Sequence, residues 1–146
     1  MSSEVGTVPF EIATATTDEV KSGVAGRRMR EFNYGVIGEY GESSPVWLNA
    51  KDAACDLAGA LRGFVFLNWL AIDILWVREG ARGQRLGSRL LAEAESRARL
   101  AGAGNARLET FQWQAAGFYA KHGYREYARI DDFVAGQWLA YMRKAL

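Results

Sequence analysis

Leu70-Ala-Ile-Asp-Ile-Leu-Trp-Val77 runs straight into Arg78-Glu-Gly-Ala-Arg-Gly-Gln-Arg-Leu-Gly-Ser88, a strand pattern followed by a glycine loop. Trp69 to Val77 is almost continuously apolar, as expected of a strand covered on both faces. The glycine-bearing loop after it opens onto a helical pattern from Leu86 to about Ala101. Leu86, Leu90, Leu91, Ala94 and Ala98 fall on one face of that helix. Glu93 with Arg97 and Glu95 with Arg99 make i,i+4 pairs on the other. Gly102 and Gly104 stop it.

A strand, a glycine loop and a helix start form a place where anions bind. The first turn of a helix leaves about four backbone N–H groups unpaired, and the helix dipole adds positive charge there. Glycine lets a ligand approach the backbone closely, so the loop predicts a pyrophosphate cradle. Arg78, Arg82, Arg85 and Arg89 share one face if the helix extends backwards. A plain strand–helix turn with a solvated arginine face is the competing reading. A P-loop is excluded, since no lysine follows Gly87, and so is the dinucleotide fingerprint G-x-G-x-x-G.

Outward from this centre, Val8 to Ala13 reads as a short strand, and Thr16, Thr17 and Asp18 offer N-caps for a helix towards Tyr40. Gly23, Gly26, Gly35 and Gly38 predict that this helix is in two pieces. Val46 to Lys51 and Cys55 to Phe66 read as strands, as do Ala106 to Phe111, Tyr124 to Ile130 and Gln137 to Arg143. Gln114 to His122 reads as a short helix. The order predicts an α/β (α+β) fold around a single mixed sheet, in one domain over residues 1–146 with a loose tail at 1–6.

The chain's 146 residues suit one ordinary domain. With 49% apolar, 12% aromatic and 24% charged residues, it is neither disordered nor collagen-like. No stretch of about 18 residues lacks charge, which excludes a membrane-spanning helix. A formal net charge of +1 gives no bulk field for nucleic acid or a membrane surface. One cysteine and no signal-peptide pattern predict a cytoplasmic home. The 16 glycines against 2 prolines are unusual, since average usage predicts about 10 and 7.

Arg82-Gly-Gln-Arg-Leu-Gly-Ser88, entered from a strand ending Leu75-Trp76-Val77, resembles the acetyl-CoA-binding signature of the GNAT superfamily of N-acetyltransferases, Q/R-x-x-G-x-G/A. Arg82 matches its first position and Gly87 its last, while Arg85 stands where a glycine is usual. A second pattern, N-x-x-A-x-x-x-Y-x-x-x-G-F/Y, is met by Gln112, Ala115, Tyr119, Gly123 and Tyr124, with Gln112 replacing the asparagine. The resemblance covers residues 45–130 well and the first 44 only in layout. It implies a mostly antiparallel sheet with helices on both faces, and direct acetyl transfer from acetyl-CoA to a small-molecule primary amine.

The resemblance implies donor contacts from Leu75, Trp76, Val77, Arg82, Gly83, Gln84, Arg85, Leu86, Gly87, Ser88, Gln112, Ala115 and Tyr119. Tyr119 matches the family's tyrosine general acid, and a phenol with pKa about 10 can protonate a departing thiolate. For the base, Asp73 is the lone charge in an apolar strand, where an unpaired buried carboxylate is costly. It is read equally as a structural partner for Arg107 or Arg129. Glu109 is the reserve candidate. His122 is expected at the surface, and Cys55 as a small buried hydrophobe. No metal site is expected, because the single histidine and cysteine cannot furnish one.

The family's acceptor pocket corresponds to Phe32, Asn33, Tyr34, Trp47, Trp113, Phe133 and Trp138, an aromatic supply suited to a flat or amphipathic amine. Each aromatic taken alone is more often core. Dimers are common in the family, so a homodimer is compatible with the resemblance. Two other classes stay open: a non-catalytic acyl-CoA-binding module, and a small phosphate- or nucleic-acid-binding domain using the arginines.

Overall fold

The computed structural model describes residues 9–146, so the expected tail at 1–6 lies outside the described residues. The chain divides into two compact units, Met1–Tyr40 and Gly41–Leu146. In the first unit, residues 9–13 carry no regular structure, and the strand expected there is not formed. Helices α1 (Thr17–Lys21) and α2 (Val24–Ile37) follow. A capping box starts α1: Glu19 N–H donates to Thr16 Oγ1 at 3.2 Å, and Thr16 N–H donates to Glu19 Oε2 at 2.7 Å. Gly23 separates the helices with φ +68°, a left-handed turn that a side chain would strain.

The second unit holds a six-stranded sheet in the order β1-β2-β3-β4-β6-β5. The strands are β1 (Ser44–Lys51), β2 (Leu57–Phe66), β3 (Trp69–Val77), β4 (Asn105–Phe111), β5 (Arg125–Val134) and β6 (Gln137–Ala145). All neighbours are antiparallel except β3 and β4. That parallel pair is joined by α3 (Leu86–Leu100), as a crossover requires. Helix α4 (Ala116–Lys121) links β4 to β5.

The apolar stripe of α3 does what its period predicts. Leu90, Leu91, Ala94 and Ala98 are buried against β1, β2 and β3. Leu61, Leu70, Leu91 and Leu139 are fully buried, each contributing about 1.5–3 kcal/mol by leaving water. Helix and sheet come close at Gly59, where an added Cβ would lie 3.1 Å from Leu90 Cδ1.

Three expectations are corrected by packing. Glu95 is 5% exposed rather than on a solvated face. It accepts from Tyr124 Oη at 3.0 Å and from Lys144 Nζ at 2.9 Å. Arg99, its helical neighbour, stands off at 3.8 Å. Burial and the Glu95 charge both push the Tyr124 phenol up, so it stays a donor. Cys55 lies in an exposed turn at φ +65°, outside β2. Arg78 does not join an arginine face, because α3 begins only at Leu86, and it pairs instead with Asp52 at 3.0 Å.

Candidate active site

The site is made by a strand pair that comes apart. β3 and β4 pair from Trp69 with Asn105 to Ile72 with Leu108, and no further. Beyond that point the β4-facing edge of β3 has no strand partner among the described residues. The cause sits at Asp73. Arg62 pairs with Ile74 and Gly63 with Ile72, so Asp73 is the extra residue of a β-bulge. A bulge bends its strand and increases its twist, and here it turns β3 away from β4. Gly63 opposite makes room, since a Cβ there would run into the Ala71 carbonyl oxygen.

The gap opens into a cleft of about 850 Å³. Ile72 to Val77 line one wall, and Glu109, Thr110 and Trp113 the other. The start of α3 forms one end, with Phe118 and Tyr119 of α4 beside it. The end at α3 is the predicted cradle. Among the described residues, no backbone hydrogen bond uses the amides from Gly83 to Ser88. Gly83 and Arg85 both take left-handed φ, +80° and +60°. Such turns aim successive N–H groups at one point and make an anion nest. Arg85 holds this conformation without being glycine, at a cost of about 1–2 kcal/mol. Gly87 packs its backbone under Phe118, whose ring would lie 3.4 Å from an added Cβ.

Leu75, Trp76, Val77, Arg82, Gly83, Arg85, Leu86, Gly87, Ser88, Ala115 and Tyr119 all line the cleft, as do Asp73, Glu109 and Trp113. Gln84 and Gln112 do not. Gln112 Oε1 accepts from Trp138 N–H at 3.2 Å, which ties β4 to β6. Arg82 Nε donates to the Val77 carbonyl at 3.2 Å, closing the strand–loop corner. Trp47 lies on β1 and is exposed. Phe32, Asn33 and Tyr34 belong to the first unit, where Asn33 Nδ2 donates to Tyr40 Oη and Tyr34 Oη to the Tyr40 carbonyl.

Tyr119 is 7% exposed. Burial pushes its phenol up to about 12, so the hydroxyl stays protonated at any working pH. Its ring is held edge-on by Phe118 and Tyr124 at 5.3 and 5.7 Å. Asp73 is exposed in the cleft rather than buried, which corrects the reading of a costly interior charge. The reason is the fork: past Ile72 the strand is no longer covered on both sides. Arg129, one of its expected partners, is instead bonded to Glu126 at 2.7 Å. Asp73, Arg107 and Glu109 also border a second small cavity of about 170 Å³ at the branch point.

Two roles were not visible in the sequence. Thr110 is a fully buried polar residue whose Oγ1 accepts from Ala115 N–H at 3.4 Å, tying the end of β4 to the residue just before α4. Gln114 Oε1 accepts from Phe111 N–H at 3.0 Å. Together they fix the corner that presents Tyr119. The polar run Thr110, Gln112 and Gln114 before a helix with no N-cap of its own is the signal for it. His122 is half-buried rather than at the surface, bonded to Phe118 and Ser88.

The acetyltransferase (GNAT) domain family matches residues 43–126, and the chain belongs to it. Members of this family use acetyl-CoA as acyl donor. An acetyltransferase of Agrobacterium fabrum is 30% identical over 110 residues, 74% of this chain and 80% of that protein. The blasticidin-S acetyltransferase of Streptomyces morookaense is 51% identical over 82 residues, 56% of this chain. That match spans only 60% of the relative's length. The crystal structure of an acetyltransferase from Bacillus cereus superposes with a TM-score of 0.84 at 30% identity, covering 94% of this chain and 98% of that one.

Proposed function

We propose that the protein transfers the acetyl group of acetyl-CoA to a primary amine of a small molecule, by direct attack in a ternary complex. One observation carries the reading: the β3–β4 fork ends at six unpaired amides of the α3 loop. The nest would take the donor's pyrophosphate, and Arg85 and Arg82 flank it with charge. The open edge of β3 at Leu75 to Val77 would hold the pantetheine arm as an added strand. There a backbone N–H would stabilise the carbonyl oxygen as it becomes an oxyanion.

In the reaction the amine nitrogen attacks the thioester carbon, the C–S bond breaks, and the sulfur leaves as thiolate. Tyr119 gives the thiolate its proton and regains one, through solvent, from the nitrogen as it sheds its second proton to become the amide. The ammonium proton of the acceptor passes to Asp73, directly or through water, with Glu109 across the fork as the alternative base. Asp73→Asn is expected to lower kcat/KM most at low pH, where the amine is fully charged, by about tenfold or more. A pH–rate profile settles it, since a small uniform loss would assign Asp73 to structure.

The acceptor is a compact amine carrying a planar ring and positive charge, a class supported by the similarity to a blasticidin-S acetyltransferase. Trp113 at the cleft mouth stacks on Phe111 at 4.4 Å, and Phe133 leans on Phe111 at 5.3 Å, forming one aromatic wall. Asp73 and Glu109 supply the opposite charge. The test is a panel of small amines with acetyl-CoA and a thiol-release readout. Saturable release with planar cationic amines supports the reading. Stoichiometric CoA binding with no turnover on any amine would replace it with a non-catalytic acyl-CoA module.

A further inference from the structure

His122 joins the two halves of the site. Its Nδ1 lies 2.8 Å from the Phe118 carbonyl oxygen, and its Nε2 lies 2.8 Å from Ser88 Oγ. A carbonyl only accepts, so Nδ1 carries the hydrogen. In the neutral ring Nε2 is therefore bare, and the Ser88 hydroxyl must donate to it. Ser88 has one hydrogen, and it is spent on the histidine.

Ser88 stands in the first turn of α3, among the unpaired amides. A phosphate oxygen placed there is an acceptor and needs donors. While His122 is neutral, Ser88 can offer it none. Once His122 is protonated, Nε2 donates to Ser88 Oγ and the hydroxyl hydrogen is released towards the nest. The same proton adds a positive charge behind Ser88. The charged groups nearest these two residues in the chain are Arg85 at the N-cap of α3, Arg89 beside Ser88, and Lys121 beside His122. Lys144 of β6, beside Gly123, is already paired with Glu95 at 2.9 Å.

We infer that His122 and Ser88 form a proton-linked latch, in which a proton on His122 turns Ser88 into a phosphate donor and tightens the grip on the acyl donor. His122 is a positioning residue. It acts through Ser88 on the donor, and through the Phe118 carbonyl on the helix that carries Tyr119. The inference rests on the proposed donor site, and linkage makes it reciprocal: donor binding must draw a proton onto His122.

The test is calorimetric titration with 3′-dephospho-CoA across pH 5.5 to 8.5, in buffers of different ionisation enthalpy. This probe keeps the pyrophosphate but lacks the phosphate monoester, which would itself titrate near pH 6. Wild-type protein is expected to take up a proton on binding, its affinity rising towards low pH by at most about tenfold per pH unit. In His122→Gln the uptake disappears and the affinity is flat with pH, and in Ser88→Ala, where only the charge of His122 remains, the uptake and the pH slope are both reduced. Wild-type binding with no proton uptake would overturn the latch while leaving the donor site standing. A loss of affinity in both variants that is equal at every pH would also overturn it, reducing His122 to a structural tie. No wild-type binding at any pH would instead remove the donor site itself.

Discussion

Tyr119→Phe is expected to lower kcat by about 100- to 1,000-fold, the range lost when a positioned general acid is removed, with acetyl-CoA affinity nearly unchanged. The substitution takes away one oxygen and keeps the ring. The packing that locates Tyr119 is carried by that ring, against Phe118 and Tyr124. Its hydroxyl makes no hydrogen bond among the described residues, so no buried partner is orphaned by its loss. Stability should move little, which separates this variant from a folding defect. The sign of the phenol shift matters too. Burial moves it from 10.0 to about 12, so the proton-bearing form persists throughout ordinary alkaline assays. Wild-type turnover should therefore show no loss from Tyr119 ionisation below about pH 11. Steady-state kinetics beside a donor titration check both points, and an undiminished kcat would take Tyr119 out of the mechanism.

Gly63→Ala is the second large effect, and it acts on the fold. Gly63 is needed for space, not for backbone freedom. A single added methyl would meet the Ala71 carbonyl oxygen and lie 3.4 Å from Ile72 Cα. Both are backbone atoms of β3, so no side chain can swing aside. Either the β2–β3 ladder parts or the bulge at Asp73 is lost. The expected cost is about 3 kcal/mol or more, the upper end for overpacking in a well-filled interior. Urea unfolding should show a midpoint well below wild type. Any folded fraction should bind donor poorly, because the fork depends on the same bulge. A midpoint equal to wild type would show that the bulge does not constrain the sheet.

The sequence made the order of elements legible because each carries its own period. α3 announced its buried face through leucines and alanines, and Trp69 to Val77 announced a strand. The loop at Arg82 to Ser88 could be located because its chemistry is local. What stayed hidden depends on distant partners. Glu95 looked like half of a surface pair with Arg99, since nothing near it in the chain reveals Lys144, 49 residues on. Asp73 looked buried because an apolar run does not show where a strand leaves its neighbour. A bulge is a property of two strands, and its one local trace here was a glycine at position 63. His122 looked solvent-facing because its bond to Ser88 joins two helices through the site. Over the described residues 9–13, the strand expected there failed for the opposite reason: a short stretch has the pattern but no ladder to pair with.

The β3–β4 fork and the α3 loop are expected to hold an acyl-CoA. Calorimetric titration of the purified protein with acetyl-CoA tests it most directly. The predicted result is saturable one-to-one binding, abolished or strongly weakened when Gly87, packed under Phe118, is replaced by valine. Absence of any binding heat at millimolar acetyl-CoA would show that the fork and loop are not a donor site.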